Sequence, residues 1–157
     1  MAASQAWRRF YDYHATILFM ISGNLLHLFF SSQYMVWYFV PDNAAYPVHT
    51  ELVYTFIIFP ATVLLFLDRY PKSGKWKQLI YLAWWVLIYS ACEWVLSETG
   101  RIVYDHDWSW AWSTIFDCMM FPMLLLHHRN PILAYGLSVL IVVALVYGFH
   151  VPMSTVL

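Results

Sequence analysis

Residues 131–150 read PILAYGLSVLIVVALVYGFH, twenty positions without an Asp, Glu, Lys or Arg. A helix rises about 1.5 Å per residue, so twenty residues match the roughly 30 Å hydrocarbon core of a bilayer. A helix on the surface of a soluble domain would carry a polar face, and this stretch has none. It reads as a membrane span. Working outward from it, four further stretches qualify: 14–31, 50–67, 78–97 and 110–127. The first is the most interrupted, by Ser22, Gly23, Asn24 and His27. The composition agrees. The chain is 62% hydrophobic and 11% charged, where a soluble domain averages about 45–50% and about 25%. Too little polar surface remains to coat a water-soluble globule. A soluble enzyme, a disordered chain and a nucleic-acid binder are thereby excluded, and a net charge of -1 provides no basic field. Two cysteines make no disulfide framework.

The expected fold is therefore all-α: a single five-helix transmembrane domain over residues 1–157. Arg8 and Arg9 before the first span resemble a signal-peptide n-region, but no small-x-small cleavage site follows. The segment is read as an uncleaved anchor. Residues 34–40 are apolar but too short to span, and read as an interfacial aromatic segment. Orientation follows from positive charge. With the N-terminus inside, Arg8, Arg9, Arg69, Lys72, Lys75, Lys77 and Arg129 all lie inside and only Arg101 outside, as the positive-inside rule requires. The C-terminus is then outside. Most acidic residues fall on the outer side, which has little bearing on orientation and points to something particular to that side.

Spans two and four share Phe59-Pro60 with Leu64 and Phe121-Pro122 with Leu126, each followed by a further proline, Pro71 or Pro131. Two readings stand: a repeat of helix hairpins, with a site at its interface, or the ordinary frequency of Pro in membrane helices.

Ionisable residues inside a span cost about 2.5–3.5 kcal/mol at the centre on insertion scales, and normally face the bundle interior. Glu93 and Asp117 lie in the outer halves of spans three and four, Glu51 at the outer mouth of span two, and Asn24 and His27 at similar depth in span one. Helical spacing places Glu51, Thr55 and Thr62 on one stripe, Ser90, Glu93 and Ser97 on another, and Ser113 with Asp117 on a third. Span five lacks such a stripe and is expected at the periphery. Pro60 and Pro122 free the carbonyls of Phe56 and Cys118. The five residues Asn24, His27, Glu51, Glu93 and Asp117 are the candidate ligand-binding set, with His27 or Asn24 expected within reach of a carboxylate. The other reading of this layer is structural, a set of interhelical hydrogen bonds with Trp, Tyr and Ser. Metal coordination is a minority reading, because no motif with metal-ligand spacing is present.

His127-His128-Arg129 at the inner end of span four is expected to contact headgroups. Asp105-His106-Asp107 reads as a solvated turn. Cys92 and Cys118 read as buried small hydrophobes. Trp37, Trp108, Trp110 and Trp112 outside and Trp76 inside read as interfacial belts; Trp84, Trp85 and Trp94 are candidates for lining a cavity. No phosphate loop, nucleophile elbow or HExxH motif is present, so the reading leans away from an enzyme without excluding one, and the cofactor stays unknown.

Glu51-Leu-Val-Tyr-Thr-Phe with Phe59-Pro60, Leu-Phe-Leu-Asp68-Arg-Tyr-Pro71, Glu93-Trp94, and Asp117 with Phe121-Pro122 resemble an uncharacterised family of small polytopic membrane proteins from spore-forming Gram-positive bacteria. The resemblance covers nearly the whole chain. It implies a bacterial inner membrane and no particular chemistry. Three functions remain open. The first is a polar site in the outer half of the bundle for a cation, proton or amphiphilic small molecule, serving sensing or transport. The second is an accessory or scaffold membrane subunit without a ligand. The third is a membrane enzyme acting on an outer-leaflet lipid. The partners expected are the lipid bilayer and a small ligand or membrane protein, with no nucleic acid.

Overall fold

The computed structural model describes residues 10–30, 34–40 and 47–151. It is all-helical in class, with helix over 78% of it. Among the described residues there are five helices. α1 is Phe10–Phe30. α2 runs over residues 47–68 in three pieces, Pro47–Val53, a π-helical turn Tyr54–Ile58, and Phe59–Asp68. α3 is Lys75–Glu98, α4 Trp110–Arg129 and α5 Pro131–Gly148. Three of them are long and apolar enough to cross a membrane: Thr50–Asp68 within α2, Lys75–Glu98 and Pro131–Gly148. α1 and α4 are of similar length, and between them carry Asn24, His27, Ser113 and Asp117 of the polar layer.

The segment expected to be merely interfacial is part of a sheet. Trp37–Phe39 forms β1 and Ile102–Tyr104 forms β2, paired antiparallel with Trp37 opposite Tyr104 and Phe39 opposite Ile102. The bonds from Val40 N–H to Arg101 O (2.9 Å) and from Asp105 N–H to Val36 O (2.8 Å) extend the ladder at both ends. Val36, Phe39 and Ile102 turn into the core. The ribbon pairs backbone groups that an irregular loop would leave to water.

The turn into β2 is set by the exit of α3. Gly100 has φ +69°, in the left-handed region that favours glycine. Its N–H bonds Ser97 O and the Arg101 N–H bonds Leu96 O, closing a Schellman-type C-cap. The opposite end of the bundle turns more tightly. The Asn130 side chain accepts from Leu133 N–H while Pro131 occupies the first turn of α5, a position where a missing donor costs nothing.

Proline shapes α2 differently from α4. Pro60 cannot donate to Phe56, and just before it Phe59 N–H reaches Tyr54 O, the wider spacing of a π turn. Pro122 lies within α4 with no π segment beside it. The two Phe-Pro sites are thus not structurally equivalent.

The core lies between α1, α2 and α4, closed on one side by α3. Tyr13, Ile17 and Met20 of α1 meet Val63, Leu64, Phe66 and Leu67 of α2 and Phe121 and Leu124 of α4. Phe66 is fully buried, with ring centroids 5.0 Å from Phe121, 5.7 Å from Tyr81 and 5.9 Å from Trp85. α5 packs on α4, and only 6% of its apolar stretch is buried. This is the peripheral place that its uniform hydrophobicity suits.

Three expectations are corrected. His127 does not face headgroups: it is 2% exposed, stacked on Phe19 at 4.2 Å, with Nδ1 3.0 Å from the Thr16 hydroxyl. It lies on the inward face of α4, at the helical spacing of Phe121 and Leu124, while His128 and Arg129 point outward. Cys92 and Cys118 are exposed rather than buried. Trp84 and Trp94 face outward at 58% and 53% exposure, so they line no cavity; Trp85 packs into the aromatic core.

Candidate functional site: a carboxyl pair beneath the ribbon

The polar layer resolves into two clusters. In the first, Asn24 Nδ2 donates to Thr55 Oγ1 (2.8 Å), and that hydroxyl donates to the main-chain carbonyl of Glu51 (2.7 Å). Thr55 is fully buried and sits in the π turn. Asn24 thus ties α1 to the irregular part of α2, where backbone carbonyls are least well served. Glu51 enters this cluster through its backbone.

The second cluster holds Glu93 of α3 and Asp117 of α4. Tyr104 of β2 donates its hydroxyl to Glu93 Oε1 at 2.9 Å. Ser97 and Ser113 lie against the same pair. Asp117 is buried and close enough to Glu93 for their charges to interact, and its Oδ2 has no hydrogen-bond partner. Tyr89, which hydrogen-bonds Thr62 of α2 at 2.6 Å, lies within electrostatic range of Asp117. No basic side chain pairs with either carboxyl group among the described residues. Burial and then the bond to Glu93 push the Tyr104 hydroxyl well above its ordinary range, so it serves as a donor throughout the physiological range.

Tryptophans of the same end lock this cluster. Trp108 Nε1 donates to Ser113 Oγ (2.9 Å), and Trp110 Nε1 to the main-chain carbonyl of Ser90 (2.9 Å). The Ser90 hydroxyl donates to Thr114 (3.0 Å), a second tie between α3 and α4. Trp110 thus ties α4 to α3, while Trp108 fastens the approach to α4 onto its first turn; both make specific bonds beyond any belt role.

His27 belongs to neither cluster. Its ring stacks on Trp37 of β1, centroids 5.5 Å apart and planes within 13°. Neither His27 nor Asn24 hydrogen-bonds Glu93 or Asp117 among the described residues. The ribbon links them instead. Trp37 carries His27, its strand partner Tyr104 carries Glu93, and the two strands are paired at that position. Among the described residues no group of three or more His, Cys, Asp or Glu is arranged to hold a metal ion.

Sequence reasoning missed Tyr104, Tyr89 and the ribbon. The helical stripes pointed to Glu93, Asp117 and Ser113, but a tyrosine in a loop carries no periodic signal. The surviving hints were Gly100, which stops α3, and the short β-rich run 102–104 after it.

The geometry defines an all-helical bundle, three of whose helices are long and apolar enough to cross a membrane, with a capped carboxyl pair in which Asp117 is buried and Glu93 half-buried. Comparison with protein-family models, curated proteins and solved structures gives no match to this chain.

Proposed function

We propose that this protein is a five-span integral membrane protein with the basic end inside and the ribbon outside. Its Glu93–Asp117 pair forms a proton-binding site in the outer half of the bundle, used in sensing or transport. The single observation that carries this reading is Asp117: a buried carboxyl group with an unpartnered oxygen, beside a second carboxyl group, with no basic neighbour among the described residues. Two ionised carboxylates so placed would repel and lose hydration together, and a proton taken up by the pair would relieve both costs. A proton fits better than a divalent ion, since among the described residues no third His, Cys, Asp or Glu joins the two. The up-and-down course of the helices and the distribution of Lys and Arg support the orientation. The family resemblance suggests a bacterial inner membrane.

The test is infrared spectroscopy of the protein in liposomes across pH, with Glu93→Gln and Asp117→Asn. A neutral carboxyl C=O band that titrates in the parent and is lost or shifted in both variants is expected. Ionised carboxylates at every pH, with no band altered by either variant, would sink the reading.

A second reading, an accessory subunit, is favoured by one observation: Trp84 stands exposed near the middle of α3. Tryptophan prefers the interfaces of a bilayer to its centre, and a partner helix would cover it. Under that reading the carboxyl pair shows no titration and a stoichiometric membrane protein co-purifies.

A further inference from the structure

At the basic end, remote from the carboxyl pair, an open cleft of about 420 Å³ lies between α1, the exit of α2 and the last turn of α4. Its lining is divided by chemistry. Lys72, His128 and Arg129 supply cationic or protonatable nitrogens, Tyr13 and Tyr70 phenol groups, and Leu67 and Leu125 an apolar part. Asp68 also borders it, so Lys72 and Arg129 leave the cleft positive by one charge before His128 is counted. The His128 ring leans on Tyr13, centroids 5.3 Å apart, which holds it at the mouth of the cleft. Lys72 and Arg129 are exposed and lie just beyond Asp68, where the apolar Thr50–Asp68 stretch ends, and at the end of α4. That is the level of lipid headgroups for helices of this length.

We infer that this cleft binds the headgroup of an anionic phospholipid from the leaflet facing the basic end. Arg and Lys would meet the phosphate, the tyrosine hydroxyls would donate to phosphate or glycerol oxygens, and Leu67 and Leu125 would meet the glycerol and upper acyl carbons. A free phosphate ion satisfies the cations but leaves the apolar part of the lining unused. Basic pockets between helix ends are recognised anionic-lipid sites on this physical ground. The inference rests on the membrane placement proposed above and not on the carboxyl pair.

Native mass spectrometry of the full-length protein in detergent tests it. Phosphatidylglycerol, phosphatidylcholine and inorganic phosphate are titrated separately against the parent, K72Q/R129Q and K75Q/K77Q. Both pairs of side chains are exposed, and circular dichroism verifies equal helix content. Phosphatidylglycerol should form a one-to-one adduct that phosphatidylcholine does not, weakened roughly thirtyfold in K72Q/R129Q, at about fivefold per lost cation. It should be nearly unchanged in K75Q/K77Q. Equal retention of the two lipids, equal loss in both double variants, or displacement by inorganic phosphate at the same concentration would each overturn the inference. Loss of the lipid effect with carboxyl titration intact counts against the cleft and leaves the proton site standing.

Discussion

Tyr104 Oη donates to Glu93 Oε1 at 2.9 Å, and this bond joins a β-strand to a helix through the chemistry of the candidate site. Because Trp37 is the strand partner of Tyr104 and stacks on His27, α1 and α3 are coupled across the ribbon.

Tyr104→Phe should keep the ring and lose the donor. Glu93 then keeps a half-buried oxygen without this partner, at a cost of about 1–2 kcal/mol. Glu93→Gln should cost less, since the amide oxygen still accepts from Tyr104. Thermal unfolding in detergent orders the two variants, and a Tyr104→Phe protein as stable as the parent would show that the bond contributes nothing.

At the other end of the bundle, Thr16→Val should destabilise by about 1–3 kcal/mol. The substitution is close to isosteric but strips the hydroxyl from His127 Nδ1, and His127 Nε2 already lacks a partner. Chemical unfolding monitored by tryptophan fluorescence gives the difference; a value near zero would mean that the stacking on Phe19 alone positions the ring.

Ala134 is fully buried in α5, a helix that packs on α4 and is otherwise largely exposed. Small residues let membrane helices approach closely, and overpacking such a point costs about 1–3 kcal/mol. Ala134→Leu should loosen α5 selectively. Hydrogen exchange should rise over 131–148 while α1 to α4 hold their protection; a uniform rise would place Ala134 in the shared core instead.

Topology is open to direct measurement. In a background with the exposed Cys92 and Cys118 replaced, Asp107→Cys at the ribbon end should react with an impermeant thiol reagent on intact cells, and Ser73→Cys at the basic end should not. The reverse pattern would invert the orientation, and labelling of both would remove the odd number of spans.

Much of the site was legible in sequence because helical periodicity is local. Glu93 with Ser90 and Ser97, and Asp117 with Ser113, share faces by spacing alone, and a carboxyl group in an apolar stretch must turn inward. Asn24 was legible as polar but not its partner, since Thr55 is chosen by the π turn before Pro60. His127 was misread because its neighbours His128 and Arg129 are basic, while its own inward direction follows from the phase of α4 against α1.

The sequence by itself determined the helices, their apolar length and the segregation of basic residues, because each depends on composition and period along one segment. Tertiary structure alone decided the pairing of Trp37–Phe39 with Ile102–Tyr104, two short runs of extended backbone far apart in the chain. Neither has a stable conformation until α1, α3 and α4 bring them together. It also decided which tyrosine meets Glu93, since a hydrogen bond across elements depends on where the helices end in space and leaves no mark in the order of residues.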